Sequence, residues 1–276
     1  MRLLKITVIF IFICSLLLTG YSKYVERSRQ DSTRPTITSE LEELTLSVSY
    51  QPEELYAGLT ARDEKDGDLT NQIIAGDFSP FTEPGVCRVK YVVFDSSNQP
   101  AELTRRVRFT DYESPKLTLS QPLVFAPKSY EELLKYVGAQ DCLDGNLSAH
   151  LKNGESTVSF STPGDYTYEV EVTNSFGDRE RQLLPVHIVE KEQQSLQIIL
   201  STPLIYITKG DRFDPVSFVT EIKNASGQTI SKELLEVDST VNRNKAGLGE
   251  VHYTVTDEDG RTGETWLTVI VREKQK

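Results

Sequence analysis

The chain has 276 residues, 38% of them hydrophobic, which is long enough for two or three ordinary domains with cores of their own. Its 30 Lys and Arg stand against 41 Asp and Glu for a formal charge of −11, and no basic block interleaves with aromatics, so nucleic acid is excluded as the expected partner. Three cysteines, Cys14, Cys87 and Cys142, lie in three different segments and do not make a disulfide framework.

Met1 to Ser22 opens with Arg2 and Lys5, continues with the mostly apolar run Ile6 to Leu18, and ends in small and polar residues. This reads as an export signal. The run suits a signal peptide over 1–22, while the longer count from Leu3 to Tyr21 suits a tilted membrane anchor; both readings place the rest of the chain outside the cell. Residues 23–34 (KYVERSRQDSTR) are polar and unpatterned and end at Pro35, the mark of a short tether.

Beyond the tether one pattern is written three times. Pro84-Gly85, Pro163-Gly164 and Ala246-Gly247 each open a run that alternates apolar and polar, and Asp95, Asn174 and Asp257 each stand at the turn that follows. The inward phase of the first strand holds Cys87, Val89, Tyr91 and Val93, then Tyr166, Tyr168, Val170 and Val172, then Gly249, Val251, Tyr253 and Val255. Such a period of two predicts a half-buried strand. The return strand repeats it through Val107 and Phe109, Leu184, Val186 and Ile188, and Leu267, Val269 and Val271, with Arg105 alone breaking the apolar phase. The chain is therefore expected to be all-β, three domains of roughly 80 residues each.

The first domain, 35–111, begins with Leu44, Leu46, Val48 and Tyr50 in strand alternation, followed by a helical turn at Glu53-Glu54-Leu55. The second, 112–190, has two short strands split by Pro122 and a matching turn at Glu131-Glu132-Leu133. A linker, 191–195, precedes the third, 196–276, where Gly210 ends a strand and Asp214-Pro215 starts a turn of helix.

These stretches resemble the tandem Ig-like repeats of surface proteins of Gram-positive bacteria, in the branch named for an Ig-like domain of a pesticidal crystal protein. The resemblance is carried by Ala61, Asp63, Asp66-Gly67-Asp68-Leu69-Thr70 and Pro84-Gly85 in the first copy, by Ala139, Asp141, Asp144-Gly145-Asn146 and Pro163-Gly164 in the second, and by Ala246-Gly247 and Tyr253 to Asp257 in the third, which lacks the Asp-Gly-Asp element. It implies three tandem Ig-like β-sandwich domains after the N-terminal hydrophobic helix, displayed at the cell surface. It implies no single activity, because such modules serve as binders and as spacers.

Asp63, Asp66 and Asp68 are the candidate metal ligands, since closely spaced carboxylates suit calcium. Ordinary Asp-Gly turn chemistry accounts for the same residues, and Lys65 sits among them. No cofactor is otherwise expected. His150, His187 and His252 are isolated from one another in sequence, and HExxH, GxSxG and phosphate-loop patterns do not occur, so no catalytic residues are assigned and the chain is read as a non-enzyme. Trp266 lies outward on its strand, placed to stack on a sugar ring or to cover a sheet face or domain junction. Tyr91 and Tyr253 fall where a tyrosine bonds at a sandwich corner. Cys87 is a core position and Cys142 a loop thiol open to intermolecular pairing. The expected function is an extracellular binding or adhesion module for an envelope polymer, glycan or protein ligand, attached through its N-terminal segment or secreted; the alternative is a structural stalk holding an assembly away from the membrane.

Overall fold

A computed structural model describes residues 2–29, 33–190 and 195–274. It divides into two compact units, Met1–Asp111 and Tyr112–Lys276. The linker expected at 191–195 lies outside the described residues except for Ser195, as do 30–32 of the tether.

The first unit opens with helix α1 (Arg2–Arg29), which takes in most of the stretch expected to be an unpatterned tether. The Lys, Glu and Arg of that stretch are good helix formers, and their polarity did not mark an end to the helix. The side chains of residues 2–6 and 8, on which part of the export reading rests, lie outside the described residues; among the described residues no helix is long and apolar enough to cross a membrane.

Strands β1 (Thr36–Ser39), β2 (Glu43–Leu46), β3 (Leu59–Asp63), β4 (Gly67–Asp68), β5 (Ile74–Phe78), β6 (Val86–Phe94) and β7 (Pro100–Phe109) follow. They form two sheets, β1-β3-β4 and β2-β7-β6-β5, with β2 parallel to β7 and the other pairs antiparallel. The chain thus crosses from one sheet to the other between β1 and β2, so both faces of one core are covered early. β2 stops at Leu46, short of the alternation through Val48 and Tyr50, because the Asp111 carboxylate takes the Val48 amide (2.8 Å) and the Ser47 hydroxyl (2.8 Å) and turns the backbone. Cys87, Val89, Tyr91, Val93 and Val107 are fully buried, as the alternation requires. Arg105 is also buried, and its guanidinium donates to the carbonyls of Leu55 and Ala57 (2.5 and 2.6 Å), in and just after the 3-10 turn Pro52–Tyr56, and to the Tyr91 hydroxyl (3.0 Å).

The second unit repeats this plan twice. β8 (Lys116–Leu119), β9 (Val124–Phe125), β10 (Val137–Asp141), β11 (Gly145–Asn146), β12 (Lys152–Ser156), β13 (Gly164–Thr173) and β14 (Arg179–Ile188) make the sheets β11-β10-β8 and β12-β13-β14-β9. β15 (Leu196–Leu200), β16 (Leu204–Thr208), β17 (Val219–Asn224), β18 (Leu235–Ser239), β19 (Gly247–Thr256) and β20 (Thr262–Arg272) make β15-β17 and β16-β20-β19-β18. The three hairpins share one register: Val89 faces Arg105, Tyr168 faces Leu184 and Val251 faces Leu267. The core of the middle repeat does not end at its own sequence. Leu204 and Ile270 of the last repeat are buried in it, with Tyr206 and Leu248 packed alongside.

Candidate functional site at the acidic corner and the repeat junction

Two places gather polar side chains that the sandwich plan does not require. The first is the corner of repeat one, where the turn after β3 meets the β6–β7 turn. The Oδ1 atom of Asp63 accepts from the amides of Lys65 (2.8 Å) and Asp66 (2.9 Å), and Asp95 Oδ1 accepts from those of Ser97 (2.8 Å) and Gln99 (2.7 Å). Asp66 ties the two turns together by accepting from the Ser96 amide at 2.7 Å. Asp68 caps the next 3-10 turn through the Thr70 amide (2.9 Å), and hydrogen bonds from Thr70 hold its carboxyl below the usual range. Asp63 and Asp95 are buried, and the Oδ2 atom of each has no hydrogen-bond partner among the described residues.

Of the three carboxylates singled out from sequence, only Asp63 therefore presents a spare buried oxygen, whereas Asp66 and Asp68 are used in turn chemistry. The residue that shares its situation, Asp95, is visible in the sequence only as a hairpin turn residue. Among the described residues no group of three or more His, Cys, Asp or Glu is arranged to hold a metal ion.

The second place is the junction of repeats two and three. Arg272 donates to the carbonyls of Ser114 (3.2 Å) and Pro115 (2.6 Å), pairs with Glu180 at 2.8 Å and lies over the Tyr206 ring. The Tyr206 hydroxyl accepts from the Leu117 amide (2.7 Å) and donates to Glu180 (3.3 Å); burial, then the Glu180 charge, push its pKa up. Nearby, Trp266 is stacked between two imidazoles, with centroids 4.0 Å from His187 and 4.1 Å from His252. Two of the three histidines that are separate in sequence are thus brought together by one indole, while His150 ends a 3-10 turn elsewhere in repeat two. His187 faces outward from its own sandwich, yet it is buried because repeat three covers it. Its Nδ1 lies 2.8 Å from Asp165 and its Nε2 2.9 Å from Glu250. Burial alone would lower the His187 pKa, but the hydrogen bonds and charges of Glu250 and Asp165 outweigh it and hold it raised. His252 is anchored by Glu264 at 2.8 Å. Both faces of Trp266 are consequently occupied, which leaves none for a sugar ring and settles its role as a junction residue.

Several clefts open at this junction. One, about 650 Å³, is polar and includes Gln121, Gln197, Lys223, Asn224 and Glu264. Another, about 380 Å³, lies over the His–Trp–His stack beside Asp238 and Glu250.

No protein-family model matches the chain. It is 27% identical over 248 residues to the pesticidal crystal protein Cry22Aa of Bacillus thuringiensis, covering 87% of this chain and 33% of that protein. It is 26% identical over 146 residues to an uncharacterized 81.3 kDa protein of Acholeplasma phage L2, covering 52% of this chain and 20% of that one. The chain thus spans about a third and a fifth of the lengths of these relatives. Among solved structures it is similar to the M60 catalytic domain with two CBM51 domains of Clostridium perfringens ZmpB (14% identity, 89% of this chain and 31% of that one, TM-score 0.25) and to the protocadherin GammaB4 extracellular domain (10%, 88% and 50%, TM-score 0.22). Superpositions at these TM-scores carry no conclusion about ligand or activity. The similarity to Cry22Aa extends over most of the chain, and the resemblance carried by the threefold motif is to repeats of the same pesticidal-crystal-protein type.

Proposed function

We propose that this chain is a non-catalytic extracellular binding or adhesion module, three Ig-like sandwiches in series on an exported chain, displayed on the outer face of the cell membrane or secreted. The observation that carries the reading is the polar cleft at the junction of repeats two and three. Its amides, Lys223 and Glu264 offer the mixture of donors and acceptors that orients a hydroxyl-rich or peptide ligand. Arg272, Glu180 and Tyr206 fix the two repeats that form it, and a preset cleft loses less freedom on binding. A glycan or cell-envelope polymer is the ligand class proposed.

Retention of the full chain on immobilised envelope polymers and glycans tests this. Wild-type protein is expected to be retained, and a Lys223→Ala, Asn224→Ala variant to lose about tenfold or more in affinity, the effect of one or two polar contacts. Retention of neither form on any polymer counts against the reading. The fixed junction also suits the alternative of a spacer, which needs stiffness and no ligand; small-angle scattering that required bending between repeats two and three would count against that.

A further inference from the structure

We infer that the corner formed by Asp63 and Asp95 in repeat one is a binding site for a hard, oxygen-ligated cation of the calcium class. The three repeats meet the same structural demand with different chemistry. Register fixes the equivalence: Ile37 faces Ala61, Leu117 faces Ala139 and Ile198 faces Ile222, so Asp63, Asp141 and Asn224 occupy one position two residues further on. Across from them stand the turn residues Asp95, Asn174 and Asp257.

In repeat two, Asp141 Oδ1 accepts the amides of Leu143 and Asp144 (both 2.9 Å), as Asp63 Oδ1 does in its own turn. The other oxygen of Asp141 receives the side-chain amide of Asn174 at 3.2 Å. In repeat three the acid is on the opposite side, and Asp257 Oδ2 receives the Arg261 guanidinium at 2.7 Å, while Asn224 donates to Gln228 at 3.1 Å. One repeat therefore supplies an amide donor and another a cation from its own chain.

Repeat one places carboxylates at both positions. Gln99, the counterpart of Arg261, sends its amide to the Thr33 carbonyl at 2.7 Å. Asp63 is 5% and Asp95 7% exposed, and the Oδ2 atoms of both are buried with no hydrogen-bond partner among the described residues. Two anionic oxygens held in a buried corner require positive charge, since an unpaired buried carboxylate is among the costliest groups a fold can contain. Oxygen donors select a hard cation, and two carboxylates supplemented by water and backbone oxygens are within the range calcium accepts. A cleft of about 690 Å³ that includes Thr33, Arg62, Asp63 and Gly67 lies beside the corner as a route of entry.

Titration calorimetry of the chelator-treated full chain with Ca²⁺, alongside thermal unfolding, tests the site. Wild-type protein is expected to take up one Ca²⁺ per chain and to unfold at a higher temperature with it. The Asp95→Asn variant converts this corner to the chemistry of repeat two and is expected to fold, while its Ca²⁺ affinity falls by at least about a hundredfold. Asp68→Asn, on the same loop but turned to the Thr70 amide, leaves binding unchanged. Failure of the wild-type chain to bind Ca²⁺, or undiminished binding by Asp95→Asn, overturns the inference.

Discussion

His187 and Trp266 stack with their ring planes 10° apart, one from each of two neighbouring repeats, and this contact makes the junction sensitive to pH. The groups facing His187 are Asp165 on β13, Glu250 on β19 and, across the indole, His252 with its partner Glu264; Asp238 on β18 lines the adjoining cleft. The carboxylates prevail over burial and raise its pKa in the folded state. A raised pKa contributes stability that is complete below the unfolded value of about 6.5 and is lost as pH rises through the folded value. The thermal midpoint of the second unit is therefore expected to fall from about pH 6 to about pH 8. Trp266 is the single tryptophan, so its fluorescence follows this unit. His187→Phe, which keeps a flat ring against the indole, is expected to flatten the pH dependence; an unchanged slope would show that other groups set it.

Arg105 is a buried cation whose partners are carbonyl dipoles, the Ser39 hydroxyl and the face and hydroxyl of Tyr91, with no hydrogen bond to a carboxylate among the described residues. The equivalent positions in the other repeats hold Leu184 and Leu267, both fully buried. Arg105→Ala removes the donors to Leu55 and Ala57 and leaves a cavity, at a cost of about 3 kcal/mol. Arg105→Leu fills the space as the other repeats do and is expected to cost less. Urea unfolding followed by circular dichroism orders the two; a more stable alanine variant would contradict the packing argument.

Arg105 also shows where sequence patterning stops. The alternation marked it as a polar residue on an apolar face, but the carbonyls that satisfy it come from the turn Pro52–Tyr56 and Ala57, which reach it only when the second sheet closes over the first. The hairpins were legible because most inward side chains are buried in the sandwiches; Tyr166 is the exception, half-buried at the start of its strand with its hydroxyl bonded to Thr162. The Tyr253 hydroxyl bonds the Pro215 carbonyl at 2.7 Å, a corner contact that its strand phase foretold. His187 and Trp266 were not legible as a pair, because a repeat pattern records what each copy does for itself and contains nothing about a neighbouring copy. Asp95 was hidden for a related reason: its turn and that of Asp63 share a corner only because they meet at one end of a sandwich.

The thiols of Cys87 and Cys142 should separate cleanly. Burial pushes the Cys87 thiol up to about 12 and excludes reagent, so native maleimide labelling should spare it. Cys142 is exposed, but its Sγ donates to the Glu113 carbonyl at 3.2 Å, and partial burial raises its pKa. It should label natively, more slowly than a free peptide thiol and faster as pH rises. Cys87→Ala is expected to cost about 1 kcal/mol, because little volume is removed. Mass spectrometry of the labelled chain reads the result, and rapid native modification of Cys87 would refute the burial of β6.

The position of Cys87 is taken in repeat three by Gly249, and the neighbouring backbone shows why no side chain stands there. A Cβ added to Gly249 would lie 2.8 Å from the Cα of Val241 and 3.2 Å from its nitrogen. These are main-chain atoms, held in place by the Thr240 amide donating to the Glu250 carbonyl at 2.9 Å and the Glu250 amide donating to the Thr240 hydroxyl at 2.9 Å. The clash cannot be relieved by a rotamer change, so Gly249→Ala must move the segment after β18 or bend β19 between Val251 and the turn at Gly247. Overpacking of this kind costs about 1–3 kcal/mol. Because the residue lies in the unit Tyr112–Lys276, the loss should appear in the unfolding transition reported by Trp266. The expected result is a lower midpoint for that transition with the far-ultraviolet spectrum of a folded β protein retained, and a midpoint equal to or above wild type would show that the segment at Thr240 and Val241 yields without cost.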